Sequence, residues 1–212
     1  WPPEMLYAAG ALTLDLADAA LAEDYLLKDA TPYNVLFVGS RPVFVDLLSF
    51  EQRNSHDPTW LPFNQFVQTI LLPLLVNKYY GLRLDQVLTT NRDGLEPSQV
   101  ARLSGPLRKL SPIFLSLVSV PHWLNKKQPL NDESIYRPKK LSNAKRAHFI
   151  LQQQLKRLRR LLAKVEPGAG GISGWSEYMT PDRFFSAEYL QAKEGFVARA
   201  LKETNPQRVL DV

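Results

Sequence analysis

The chain has 212 residues, of which 45% are hydrophobic, and carries a net charge of +5 with no cysteine. This composition predicts a folded protein with a buried core and excludes disulfide frameworks, thiolate zinc sites and cysteine nucleophiles. The absence of cysteine suits a reducing compartment, so we predict a cytoplasmic location. The best candidate for a membrane segment, FVQTILLPLLV, is short and contains Gln68 and Pro73, so no membrane span is predicted.

The N-terminal quarter of the chain combines one helix with a hairpin. A helix is predicted for residues 4–22, where Leu6, Leu14 and Leu21 recur at helical spacing. Two segments rich in β-branched and aromatic residues, NVLFV and PVFVD, predict strands that the tight turn GSR connects. The polar residues 51–58 that follow predict a loop.

The middle of the chain predicts several helices that prolines interrupt. Residues 60–80 have a helical pattern in which Pro73 is expected to cause a kink or break. The segment LEPSQVARLSG predicts a short helix that stops at Gly105. Another helix is predicted to start at Ser111 and to end at the breaker Pro121.

The clearest predicted helix spans residues 143–166 and is strongly basic. Its apolar residues form one stripe: Leu151, Leu155, Leu158, Leu162 and Val165. Between Asn125 and Lys164, twelve Lys or Arg residues stand against Asp132 and Glu133 alone. We favour the interpretation that these charges solvate a packed helix. A surface for nucleic acid, lipid headgroups or an acidic partner is the alternative.

Three polar residues surround the predicted hairpin. Asp29 precedes Asn34 by five residues, and Asp46 ends the second strand. The two strands of a hairpin begin and finish at the same open end, so Asn34 and Asp46 should lie close together. Phosphoryl transfer uses such groups, because a carboxylate orients the attacking hydroxyl while oxygen ligands hold Mg²⁺ against the phosphates.

This Asp–Asn–hairpin–Asp order resembles the C-terminal lobe of the kinase-like fold, especially its aminoglycoside-phosphotransferase branch. The resemblance implies that Asp29 is a catalytic base, that Asn34 and Asp46 bind Mg²⁺, and that ATP is the donor. The chain departs from the pattern at Leu27, where the family has His. It also lacks a Gly-rich phosphate loop before Asp29. A purely local role remains open, in which Asp29 caps a turn, Asn34 bonds its own backbone and Asp46 ends a strand.

The C-terminal residues carry a second resemblance. Ser186 is the expected N-cap of a final helix, and the apolar run RVLDV, which ends in Asp211-Val212, follows that helix. This order is similar to the lead-in helix and first strand of class I S-adenosylmethionine-dependent methyltransferases of the bacterial nodulation-protein type. The resemblance implies a Rossmann-like domain in which Asp211 begins the cofactor-binding motif.

Together these features predict an α+β, mostly α chain. A kinase-like C-lobe is expected over residues 1–124, a basic linker and long helix over 125–174, and the start of a methyltransferase domain over 175–212. The predicted function is that of an accessory region of a methyltransferase that acts on an unknown small-molecule or glycan acceptor. The alternatives are an active or degenerate phosphotransferase and an interaction module that uses the basic helix. The chain alone is expected to bind neither S-adenosylmethionine nor Mg-ATP, because both Gly-rich turns are absent from it.

Overall fold

The computed structural model describes residues 1–127, 140–168 and 186–209. The chain divides into two compact units, Trp1–Pro167 and Gly168–Val212. The described residues are mostly helical, with two small antiparallel sheets, which confirms the predicted α+β, mostly α class.

The first helix, α1 (Pro3–Ala22), confirms the helix predicted for residues 4–22. Leu6 and Leu14 are fully buried, and Leu21 is nearly so. By length and composition alone, α1 is long and apolar enough to cross a membrane, with a mean hydropathy of 1.3. The prediction of no membrane span did not consider this helix, because it was based on a shorter apolar run further along the chain. The core helix of a soluble protein passes the same test, and these leucines pack inside the protein itself.

Four short strands form two separate sheets. The strands β2 (Val35–Val38) and β3 (Arg41–Phe44) pair as the predicted hairpin, and Gly39 adopts a φ of +63° in the turn between them. The strands β1 (Tyr25–Leu27) and β4 (Phe50–Gln52) pair antiparallel to each other. The prediction of a loop at residues 51–58 is therefore wrong at its start, because residues 51 and 52 belong to β4 and pair with β1, about 25 residues earlier in the chain.

Two long helices contain a widened, π-helical turn before a proline. In the first, α2 (Phe63–Phe66) continues through the turn Val67–Leu71 into α3 (Leu72–Tyr80). Three short helices follow: α4 (Leu84–Thr90), α5 (Pro97–Leu103) and α6 (Pro106–Lys109). In the second long helix, α7 (Pro112–Phe114) continues through Leu115–Ser119 into α8 (Val120–Lys127).

The prediction that Pro121 ends its helix is therefore wrong, and Pro73 does not break the first long helix. Proline disrupts an α-helix because it lacks an N–H group and its ring meets the carbonyl of the preceding turn. A widened turn directly before the proline moves that carbonyl away, so the helix continues. Both prolines stand two residues after such a turn, Pro73 after Leu71 and Pro121 after Ser119.

The basic helix α9 (Ala144–Lys164) belongs to the first unit and packs against α1. Asn143 caps its start by accepting the Arg146 N–H at 3.2 Å. The whole predicted apolar stripe of this helix is buried, as expected. At its end, the Lys78 ammonium donates to the carbonyls of Lys164 at 3.1 Å and Glu166 at 2.9 Å. These bonds satisfy carbonyls that have no partner within the helix.

The contact between α1 and its neighbours is close at Gly10. A Cβ atom added there would lie 2.8 Å from Cγ2 of Ile70, in the first widened turn. It would also lie 3.4 Å from Cδ1 of Leu162, on α9. The core is therefore built where α1, the first widened turn and α9 meet.

In the second unit, α10 (Ala187–Thr204) starts where the sequence predicts. The Ser186 hydroxyl accepts the Tyr189 N–H at 3.2 Å, which confirms the expected N-cap. Among the described residues of this helix, Leu190 is the buried one, whereas Phe196 and Val197 are exposed. The expected strand at residues 208–212 lies largely outside the described residues.

Candidate functional site at the base of the hairpin

Two short 3₁₀ turns border the hairpin and determine where its polar residues lie. The turn Pro32–Asn34 leads into β2, and the turn Leu47–Ser49 follows β3. The Val45 N–H donates to the Asn34 carbonyl at 2.9 Å, which closes the open end of the hairpin. The end of the first turn and the start of the second therefore lie side by side at the open end of the hairpin.

Asn34, Asp46 and Ser49 form a hydrogen-bonded cluster there, which we call the Asn–Asp–Ser cluster. One carboxylate oxygen of Asp46, Oδ2, accepts the Ser49 hydroxyl at 2.5 Å and the Asn34 amide Nδ2 at 3.2 Å. The same amide lies 3.4 Å from the Ser49 Oγ atom. Ser49 is 1% exposed, so its hydroxyl is held inside the protein. The contact between Asn34 and Asp46 is the one that the sequence predicts; their metal-binding role stays a prediction.

Two oxygen atoms of the cluster can still accept a hydrogen bond or bind a cation. Across the described ranges, no hydrogen bond reaches Oδ1 of Asn34 or Oδ1 of Asp46. Carboxylate and amide oxygens are the ligands that Mg²⁺ prefers, so these two atoms could hold a cation that also kept several waters. Within the same ranges there is no group of three or more His, Cys, Asp or Glu side chains that could form a protein-only metal site.

Asp29 lies on the segment before the hairpin and is half-buried. The backbone on either side of it is fixed: the Lys28 N–H donates to the Ser49 carbonyl at 2.8 Å, and the Ala30 N–H donates to Oε1 of Gln65 at 2.6 Å. No hydrogen bond or ion pair to the Asp29 carboxylate occurs in the described part of the chain. The backbone therefore holds Asp29 next to Lys28, the residue that bonds the backbone of Ser49 in the Asn–Asp–Ser cluster. The Asp29 carboxylate remains available for another group.

Sequence reasoning missed Ser49. A signal was present, because Ser three residues after Asp is the spacing at which the two side chains meet across a 3₁₀ turn. Asp211, the residue expected to begin a cofactor-binding motif, lies outside the described residues.

The basic face of α9 is partly neutralised by α1. The Arg159 guanidinium donates to Oδ1 of Asp15 and to Oδ2 of Asp18, both at 2.6 Å. The hydrogen bond to Asp18 is the main reason that the pKa of Arg159 is raised above its usual range, so this side chain stays charged. On α9, Arg157 donates instead to the Ser116 hydroxyl at 3.0 Å. These contacts favour a structural role for the helix over a free basic surface.

Arg159→Ala is expected to lower the free energy of unfolding by about 1 kcal/mol. The ion pairs are well oriented, but the Arg159 side chain is 43% exposed, so water screens them. Arg160→Ala is the matched control, since among the described residues Arg160 bonds the Lys156 carbonyl of its own helix and no carboxylate. Chemical denaturation of both variants measures the difference. Equal stabilities would mean that the pairs with Asp15 and Asp18 contribute nothing.

Comparison with known proteins identifies a similar protein but assigns no fold. No family model matches the chain, and no solved structure matches it. The chain is similar to nodulation protein NoeA of Rhizobium meliloti (strain 1021). The two are 26% identical over 227 aligned residues, which include the whole chain but only 44% of NoeA. The chain thus spans less than half the length of this relative.

Proposed function

We propose that the chain is an accessory or substrate-positioning region of a bacterial, cytoplasmic methyltransferase that uses S-adenosylmethionine. The acceptor would be a small molecule or glycan. The observation that carries the proposal is the exposed apolar surface of α10, where Phe196 is 66% and Val197 is 45% exposed, ahead of the RVLDV segment. A helix that leads into the first strand of a Rossmann-like sheet needs such side chains to pack on that sheet.

The similarity to NoeA supports the proposal in outline, because the chain matches along its whole length a region that makes up 44% of this nodulation protein. Residues 175–212 would then begin the methyltransferase domain, with Asp211 at the end of its first strand. Residues 125–174 would connect it to the lobe formed by residues 1–124. In this arrangement α9 is an integral part of the first unit, since it packs on α1.

Calorimetric titration with S-adenosylmethionine tests this proposal. We expect the 212-residue chain to show no micromolar binding of S-adenosylmethionine and the full-length gene product to show it. A micromolar Kd corresponds to a binding free energy of about −8 kcal/mol. In the full-length product, Asp211→Ala should weaken binding, whereas Glu203→Ala, at an exposed position on α10, should not. A full-length product that binds no S-adenosylmethionine would contradict the proposal.

A kinase-like phosphotransferase is the second candidate, and the contact between Asn34 and Asp46 favours it. In this proposal residues 1–124 form a kinase-like C-lobe, and Asp29 accepts the proton of the attacking hydroxyl. Mg²⁺ would bind to the free oxygens of Asn34 and Asp46, and would neutralise charge on the phosphates of ATP. The available Asp29 carboxylate and the two free oxygens are compatible with these roles.

We expect no micromolar binding of Mg-ATP by the chain alone, because a Gly-rich phosphate loop is absent from its sequence. The Asn–Asp–Ser cluster would then serve to hold the two 3₁₀ turns together. Calorimetry with Mg-ATP measures this directly. Saturable binding that is lost in Asp46→Asn and kept in Glu23→Gln, an exposed control, would instead establish a live phosphotransfer site.

A further inference from the structure

The two widened turns of the first unit line one cavity. Val67 and Gln68 come from the first turn, and Ser116 and Leu117 come from the second. The cavity has a volume of about 350 Å³. Pockets that hold small organic molecules have volumes of roughly 300–1,000 Å³, so this one is at the lower end of that range.

Each widened turn releases one backbone carbonyl from its helix. In the first, the Leu72 N–H bonds the carbonyl five residues back, at Val67, and Pro73 has no N–H to offer Gln68. The Leu95 N–H, from outside the helix, satisfies the Gln68 carbonyl at 2.9 Å. This turn therefore keeps its hydrogen bonds complete.

In the second turn the same geometry leaves Ser116 without a helical donor. The Val120 N–H bonds the Leu115 carbonyl, and Pro121 has no N–H. Among the described residues, no backbone N–H from outside the helix reaches the Ser116 carbonyl as Leu95 reaches Gln68. Ser116 is also one of the residues that line the cavity. Widened turns of this kind occur frequently at functional sites.

One charged side chain lines the cavity, and the described residues offer it no carboxylate partner. Arg157 is the charged residue of its lining, and no ion pair to Arg157 occurs in the described part of the chain. Arg159, two residues further along α9, is by contrast paired with Asp15 and Asp18. The guanidinium is held at the wall by its bond to the Ser116 hydroxyl, and it retains further N–H donors.

The cavity is lined by both polar and apolar residues. Asn64 and Gln68 are among the lining residues, and neither makes a side-chain hydrogen bond within the described ranges. The remaining wall is mainly apolar: Phe63, Val67, Leu117, Val120, Leu124 and Leu161. Convergent polar donors next to an apolar wall are typical of small-molecule sites.

We propose that this cavity binds an organic anion, a carboxylate or phosphate ester attached to an apolar body. The Arg157 guanidinium would donate to the anionic oxygens, because a planar fork of N–H groups matches their geometry. The amides of Asn64 and Gln68 would supply further donors, while the apolar body would lie against Val67 and Leu117. This proposal is independent of both functions proposed above.

Calorimetry on the 212-residue chain tests it with 4-phenylbutyrate and its neutral counterpart, 4-phenylbutyramide. The acid should bind saturably and about tenfold more tightly than the amide, the ratio expected for a charge-assisted hydrogen bond. Phenyl phosphate is the third probe, and its affinity relative to the acid decides between a phosphate and a carboxylate ligand. A folded chain that binds neither anion at millimolar concentration overturns the proposal.

Three variants locate the site. Arg157→Gln should weaken binding of the acid about tenfold and leave the amide unchanged, while Arg160→Gln, with the same change in net charge, should change neither. Val120→Trp places a large side chain at a cavity-lining position that is 48% exposed, so it should block both probes without disturbing the core. Equal losses in the two arginine variants, or full binding by Val120→Trp, would show that the probes bind elsewhere.

Discussion

Gly94→Ala is expected to lower the free energy of unfolding by about 2 to 5 kcal/mol. Gly94 adopts a φ of +86°, which residues with a Cβ atom adopt only at a cost. The added Cβ atom would also lie 2.2 Å from the Gln68 carbonyl oxygen and 2.8 Å from the Thr69 nitrogen. These are backbone atoms of the first widened turn, so no side-chain rotation relieves the overlap.

The substitution should also weaken the bond that completes the widened turn. The residue after Gly94, Leu95, donates its N–H to the Gln68 carbonyl, and any displacement of the loop lengthens that bond. Gly81→Ala is the matched control, because Gly81 has a φ of +67° but no atoms within 4 Å of the added Cβ. It should lose only about 1 to 2 kcal/mol for the dihedral angle. Equal losses in urea denaturation would contradict the close approach at Gly94.

Leu158→Ala is expected to cost about 2 to 5 kcal/mol, the range for truncating a buried leucine. Leu158 is fully buried at the centre of the apolar stripe of α9, which packs against α1. Leu107→Ala is the control, since Leu107 is 85% exposed and an ordinary surface change stays within about 0.5 kcal/mol. Thermal and chemical unfolding measure both.

The outcome of Leu158→Ala also bears on the function of α9. An interaction module that presented this stripe to a partner would leave Leu158 exposed in the free chain, and the alanine variant would then unfold like the parent. An unchanged unfolding transition would therefore favour the interaction-module alternative. A large loss would assign the stripe to the core.

The helices that periodicity specifies could be predicted from the sequence. The stripe of α9 and the spacing of Leu6, Leu14 and Leu21 on α1 are local patterns, and each matches the buried face of its helix. The N-cap at Ser186 is equally local, since the hydroxyl bonds an amide three residues away. Such features depend on neighbours in the sequence, so they can be read without the fold.

The features that could not be predicted depend on distant partners. The strand β4 forms because β1 pairs with it, and two of its three residues, Glu51 and Gln52, are polar. The sequence predicts only that the charges of α9 solvate a packed helix, yet Arg159 pairs with Asp15 and Asp18 on a helix more than 140 residues earlier in the chain. The effect of Pro121 also depends on the turn before it rather than on the proline alone.

In the candidate site, too, some features follow from the local sequence and others depend on the fold. The hairpin and the approach of Asn34 to Asp46 follow from strand order, which the sequence indicates. The contribution of Ser49 depends on the 3₁₀ turn that brings its hydroxyl beneath Asp46, and β-strand patterns do not predict that turn. The roles of Asp29, Asn34 and Asp46 in binding or catalysis stay predictions.

The pairing of β1 with β4 has a consequence for how this protein could change through evolution. The ladder extends at both ends, because Arg53 N–H donates to the Asp24 carbonyl and Lys28 N–H donates to the Ser49 carbonyl. The pairing of β1 with β4 therefore holds together the start and the end of the segment that carries the hairpin, while β3 contacts α1. Insertions or deletions in the turn at Gly39, where an added Cβ would meet no atom within 4 Å, would change the length of the hairpin without moving the β1–β4 pair. The turn of the hairpin can thus diversify while the helices keep their packing.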